Sequence, residues 1–90
     1  MNNIRRKEIR KVMEKLYEAE GILNYAYDLI AELNAEEDEY RDNIPENLQN
    51  GERYEASEEA SSYMEYASDA LEGLADSIIY AIDYLEGATA

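Results

Sequence analysis

Apolar residues recur along this chain at alternating spacings of three and four. In the first half they are Ile9, Val12, Leu16, Ala19, Leu23, Ala26, Ile30 and Leu33. In the second half they are Ala60, Met64, Ala67, Leu71, Leu74, Ile78, Ala81 and Leu85. Each run is an a/d heptad pattern, with a at Ile9 and Met64 and d at Val12 and Ala67. The two runs predict two long helices and no strand. Between them, Tyr40 to Glu55 holds the only proline, Pro45, and the Asn50-Gly51 pair. Pro45 turns Ile44 away from helical geometry, Asn43 suits a helix end, and Asn50 or Gly51 suits a helix start. The expected elements are a helix over about 4–42, a loop over about 43–50 and a helix over about 51–87, with Gly87 as the stop. The chain is then one helical-hairpin domain, 1–90.

The two patterns match when laid antiparallel. Ile9 falls level with Leu85, Leu16 with Ile78, Leu23 with Leu71 and Ile30 with Met64. The fold class is therefore all-α, an antiparallel hairpin with a coiled-coil-like Ala/Leu seam. Alanines at the d positions allow the helices to approach at the close end of the usual range of about 8–10 Å. A second apolar stripe lies beside each seam. It comprises Ile22 and Leu29 with Tyr25 on the first helix, and Ala75, Ile79 and Ile82 beside Tyr80 on the second. Two helices alone cannot bury both stripes. A chain this short buries only about 60–65% of its unfolded surface. A homodimer forming a four-helix bundle is the expected solution.

Charge narrows the partners. The 22 acidic and 8 basic side chains, with no histidine, give a net −14. Six of the cations, Arg5, Arg6, Lys7, Arg10, Lys11 and Lys15, lie within the first fifteen residues. From Leu16 onward there are 20 acids against Arg41 and Arg53 alone, or −18. Such a field repels nucleic acid and membrane surfaces and attracts basic proteins. The plainer reading is a set of glutamate-rich solvated faces, since Glu favours helix. The basic first turns are expected to face the acidic last turns (Asp83, Glu86) of the second helix; otherwise they have an anionic partner of their own.

The residues offer little for catalysis. Without His or Cys, the common general base and the strong nucleophiles are missing. No cysteine means no disulfide, which fits a reducing cytoplasm. The N-terminal cations have no apolar run behind them, unlike a signal peptide, and no stretch approaches the roughly 18–20 apolar residues of a membrane span. The run Glu36-Glu37-Asp38-Glu39 lacks the spacing and central glycine of a calcium loop. No metal and no cofactor is expected, and the chain reads as a non-enzyme. The nine tyrosines, with no Phe or Trp, are unusual. Tyr17, Tyr25, Tyr66 and Tyr80 fall at outward b or c positions. There they either serve an interface or cover the narrow alanine seam. Arg41 and Arg53 flank the bend. They are expected to neutralise it, Arg41 through Glu37 and Asp38, and Arg53 through Asp42, Glu46 or Glu55, with Tyr40 and Tyr54 nearby. A loop fixed in this way is either structural or an epitope.

The loop Tyr40-Arg41-Asp42-Asn43-Ile44-Pro45-Glu46-Asn47-Leu48-Gln49, followed by Glu52-Arg53-Tyr54-Glu55, resembles the shared core of small acidic proteins of bacteriophages and mobile elements of Gram-positive bacteria. The likeness extends to the layout of most of the chain: basic start, acidic helix, loop, acidic helix. Those proteins carry Gly-Ser before Glu-Arg-Tyr, where this chain has Asn50-Gly51. The resemblance implies a setting, the cytoplasm of a bacterial host cell, rather than an activity. In that setting, small acidic proteins often block host defence by imitating nucleic acid. The expected function is thus a non-enzymatic, anti-CRISPR-like inhibitor that presents carboxylates to a basic host nuclease. Its candidate contacts are Glu32, Glu36, Glu37, Asp38, Glu39, Asp42, Glu55, Glu58, Glu59, Glu65, Asp69, Glu72 and Asp76 with the outward tyrosines. It would not bind nucleic acid directly. The rival expectation is a dimeric coiled-coil structural or accessory protein whose acidity serves solubility.

Overall fold

A computed structural model describes all residues, Met1–Ala90. The chain forms α1 (Asn3–Asp42), a single 3₁₀ turn (Glu46–Leu48) and α2 (Glu52–Thr89). There is no strand. The two helices pack on each other along their length, and the hairpin measures 70 × 14 × 14 Å. A 40-residue helix rises about 60 Å, so the long axis is one helix plus the bend.

The ends are built locally. Asn2 caps α1, its side-chain oxygen accepting from the Arg5 N–H at 2.8 Å. Asn43 closes α1 with its N–H on the Glu39 carbonyl. Pro45 then leads into the 3₁₀ turn, whose Leu48 N–H donates to the Pro45 carbonyl at 2.8 Å. Gly51 caps α2, where an added Cβ would sit 3.1 Å from the Leu48 carbonyl oxygen. That close approach explains a glycine here. Ile44, at the bend beside Leu48 and Gly51, is one of the two buried apolar residues. Gly87 does not stop α2. It has no left-handed φ, and the Thr89 hydroxyl holds the following turn on the Glu86 carbonyl at 2.9 Å.

The seam differs from the a/d expectation in one consistent way. The a positions face inward as expected: Ile9, Leu16, Leu23 and Ile30 on α1, and Met64, Leu71, Ile78 and Leu85 on α2 are all half-buried. The second inward row, however, is e and not d. On α1 it holds Met13, Glu20, Asn34 and Arg41; on α2 it holds Ser61, Ser68, Ala75 and Ile82. The d residues Val12 (50% exposed), Leu33 (54%) and Leu74 (52%) lie on the surface. Ala19, Ala26, Ala60 and Ala81 flank the seam, half-buried.

This shift corrects the expected outer stripe. Ile82 is the most buried residue of the chain, at 2% exposure, and Ala75 is half-buried. Both belong to the hairpin's own seam. Ile22 and Leu29 are exposed, and Ile79 is exposed on the other broad face. With e inward, polar groups at the loop end find partners across the seam. The Arg41 guanidinium donates through Nη1 to Ser61 Oγ at 2.8 Å, Ser57 Oγ at 3.3 Å and the Ser57 carbonyl at 3.2 Å, and Ser61 Oγ donates to Asp38 at 3.2 Å. Turning d inward instead would pull Arg41 out of this cluster. The contact between Asp38 and Ser61 also lies a few residues beyond Ala56, the partner that the matched register assigns to Asp38. Part of that offset is the lean of helical side chains toward their N-termini.

Candidate functional site

Two antiparallel helices that turn the same heptad positions inward show like positions on the same broad face. The b and f positions therefore share one face, and the d and g positions share the other. Three shallow depressions run along the b/f face. Asp38, Asp42, Glu58 and Glu65 line one near the loop; Asp38, Glu65 and Asp69 line the next; Glu72 and Asp76 line the third, beside Leu23, Tyr27 and Leu71. Of the expected acidic contacts, the fold thus gathers Asp38, Asp42, Glu58, Glu65, Asp69, Glu72 and Asp76 along one trough. Glu32, Glu39 and Glu59 are exposed at the outer edges of the helices, and Glu55, at f, is exposed on the b/f face without lining a depression. Glu37 is not on this surface: it sits half-buried at an a position. Glu36, at g, borders the opposite face. Tyr17, Tyr25, Tyr66 and Tyr80 are all exposed, and Tyr66 meets Tyr63 edge-on with ring centroids 6.4 Å apart.

Little neutralises the trough. The structure has three ion pairs, Lys11–Glu8, Lys15–Glu18 and Arg41–Asp38, all within α1. The first two keep the basic end to itself; no cation reaches Asp83 or Glu86, so the expected attraction across the first and last turns makes no direct pair. Arg41 is the one cation in the trough, and it is already committed. Its Nη2 donates to Asp38 at 2.6 Å while Nη1 serves Ser57 and Ser61. The hydrogen bond to Asp38 holds its guanidinium above the ordinary arginine pKa, against the opposing effect of burial. Along α2, Glu65, Asp69, Glu72 and Asp76 recur every three or four residues, a rise of about 4.5–6 Å per step. A DNA strand carries a charge every ~3.4 Å of axis. The row is sparser than that, so it can imitate a polyanion's field but not its atoms.

The two loop arginines take different roles. Arg41 pairs with Asp38, as its position suggested. Arg53 makes no ion pair. Its Nε donates to the Tyr40 hydroxyl at 2.9 Å, and its guanidinium lies 5.4 Å from the Tyr40 ring centroid. Tyr40 and Arg53 thus clamp the two arms just before the bend. Ser57 and Ser61, both buried, were not singled out from the sequence. Their i,i+4 spacing on the inward face of α2 was the available signal. No three acidic side chains converge as metal ligands would, and no helix is long and apolar enough to cross a membrane.

No family model matches the chain, and no curated protein or solved structure is significantly similar to it.

Proposed function

We propose that the chain is a non-enzymatic protein-binding inhibitor that offers its acidic trough to a basic, nucleic-acid-binding protein. The setting proposed is phage or mobile-element counter-defence, with a host nuclease as the anti-CRISPR-like target in the bacterial cytoplasm. The observation that carries this reading is the trough itself. Seven carboxylates from both helices share one face, and its single arginine is spent on Asp38 and two serines. A surface of that sign draws in a basic channel through long-range attraction and competes there with phosphates.

The test is binding to a panel of basic nucleases, with DNA as competitor and salt as a variable. Binding should weaken steeply between about 0.1 and 0.5 M salt, as screening shortens the reach of charge. DNA should displace the chain. Neutralising Glu65, Asp69, Glu72 and Asp76 as Gln or Asn should abolish binding and leave helicity intact. Binding that ignores salt and these substitutions would refute the reading.

A second reading is favoured by the opposite face, which holds almost no charge. There the chain is a homodimeric structural or accessory protein, two hairpins forming a four-helix bundle. Dimerisation is compatible with inhibition, because the two faces are separate.

A further inference from the structure

The d/g face is made of uncharged residues over most of its length. Ile22, Leu29 and Leu33 on α1 and Ala67, Ala70 and Leu74 on α2 form its middle. None of these is buried in the hairpin, and Ile22 is 68% exposed. The hairpin has thus packed its poorer row inside. From Val12 to Leu33 and from Ala60 to Ala81 the d row is Val, Leu or Ala throughout, whereas the e row includes Glu20, Asn34, Ser61 and Ser68. Glu20 Oε2 and Asn34 Oδ1 are covered there without a hydrogen-bond partner in the protein. With a and e turned to the partner helix, the d and g parts of each helix's apolar arc stay uncovered.

Resting on the proposal that the chain pairs with itself, we infer that the second copy docks on the d/g face, antiparallel, with its loop at the opposite end. Area and charge carry this. A compact protein of 10.4 kDa exposes about 5,400 Å². The hairpin exposes 6813 Å², an excess of about 1,400 Å² per chain over that reference. Covering this in both copies buries about 2,800 Å², within the range of permanent dimers. The small residues Ala67, Ala70 and Ala26 allow close approach of helix to helix, and Leu74, Leu29 and Ile22 supply the knobs. Charge selects the orientation. The end away from the loop, residues 1–15 and 79–90, holds six cations against four carboxylates, or +2. The loop end, residues 32–59, holds two arginines against eleven carboxylates, or −9. Parallel docking sets −9 beside −9. Antiparallel docking sets each loop end beside the other copy's basic end. With the twofold near Ile22 to Ala26, Lys15 and Lys11 come level with Glu32 and Glu36 of the second copy. Those two carboxylates then serve the dimer, and both acidic troughs face outward.

The experiment combines mass with one distance. Wild type at micromolar concentration should scatter light as twice 10.4 kDa. A nitroxide on Asn47→Cys at the loop tip should report a separation approaching the 70 Å length of the hairpin. A folded monomer at 100 micromolar overturns both the pairing and its geometry. A dimer whose loop labels lie within about 20 Å, two helix diameters, overturns the antiparallel geometry and leaves the pairing standing. Ile22→Glu with Leu74→Glu should give the mass of one chain. If that variant is unfolded, a wild-type melting temperature that rises with protein concentration still supports pairing, and one that does not overturns it.

Discussion

Along α2, Glu65, Asp69, Glu72 and Asp76 succeed one another on one broad face, while Ala67, Ala70, Leu74 and Ala81 do so on the other. The helix is the same, and apart from the half-buried Ala81 so is the exposure within a single hairpin. What differs is the surroundings each face demands. Clustered carboxylates repel one another and are stable in water or against cations. A contiguous alanine-leucine stripe favours a partner over water. The proposed pairing and the proposed polyanionic display thus use opposite sides of one helix. The seam between them needs only enough apolar contact to hold the hairpin in register.

Substitutions can break this contrast. The largest effect is expected from charging the apolar face: Ile22→Glu with Leu74→Glu should abolish the proposed dimer in sedimentation, whereas Ile79→Glu, on the acidic face, should leave the mass unchanged. Next comes the seam. Ile82→Ala should cost about 2–5 kcal/mol in denaturant unfolding, because it empties a fully covered site; a loss below about 1 kcal/mol would return Ile82 to the surface. The cluster at the loop follows. Arg41→Gln leaves Ser57 and Ser61 without their donor and should lower the melting temperature by several degrees and quicken amide exchange from Ile44 to Leu48. Arg53→Gln loses only the clamp on Tyr40 and should do less. Smallest is the acidic face, where Glu65→Gln with Asp69→Asn should stabilise by a few tenths of a kcal/mol through relief of i,i+4 repulsion. A clear loss there would mean that these carboxylates hold the fold.

Much of the fold was legible. Two uninterrupted heptad runs and one proline specify a hairpin, and the a row was placed correctly from Ile9 to Leu85. The choice between d and e was not legible, because periodicity ranks positions by hydrophobicity and d is the more apolar row. With e inward, Arg41 meets Ser57, Ser61 and Asp38, a cross-helix cluster that no single-helix pattern displays. For the same reason Ile82 read as an outward residue. The acidic surface was legible as a charge imbalance but not as a place. Only the antiparallel arrangement shows that Asp38 and Glu65 share a trough, and that Glu37 belongs to the seam.

The contrast between faces can be measured most directly by thiol reactivity, since the chain has no cysteine of its own. Ala67→Cys puts one thiol on the apolar face and Ser62→Cys puts one on the acidic face; both positions are exposed in the single hairpin. A neutral maleimide at micromolar protein should label Cys at 62 quickly and Cys at 67 at least tenfold more slowly, with the difference vanishing on dilution to monomer. Equal rates at every concentration would contradict the assignment of the two faces.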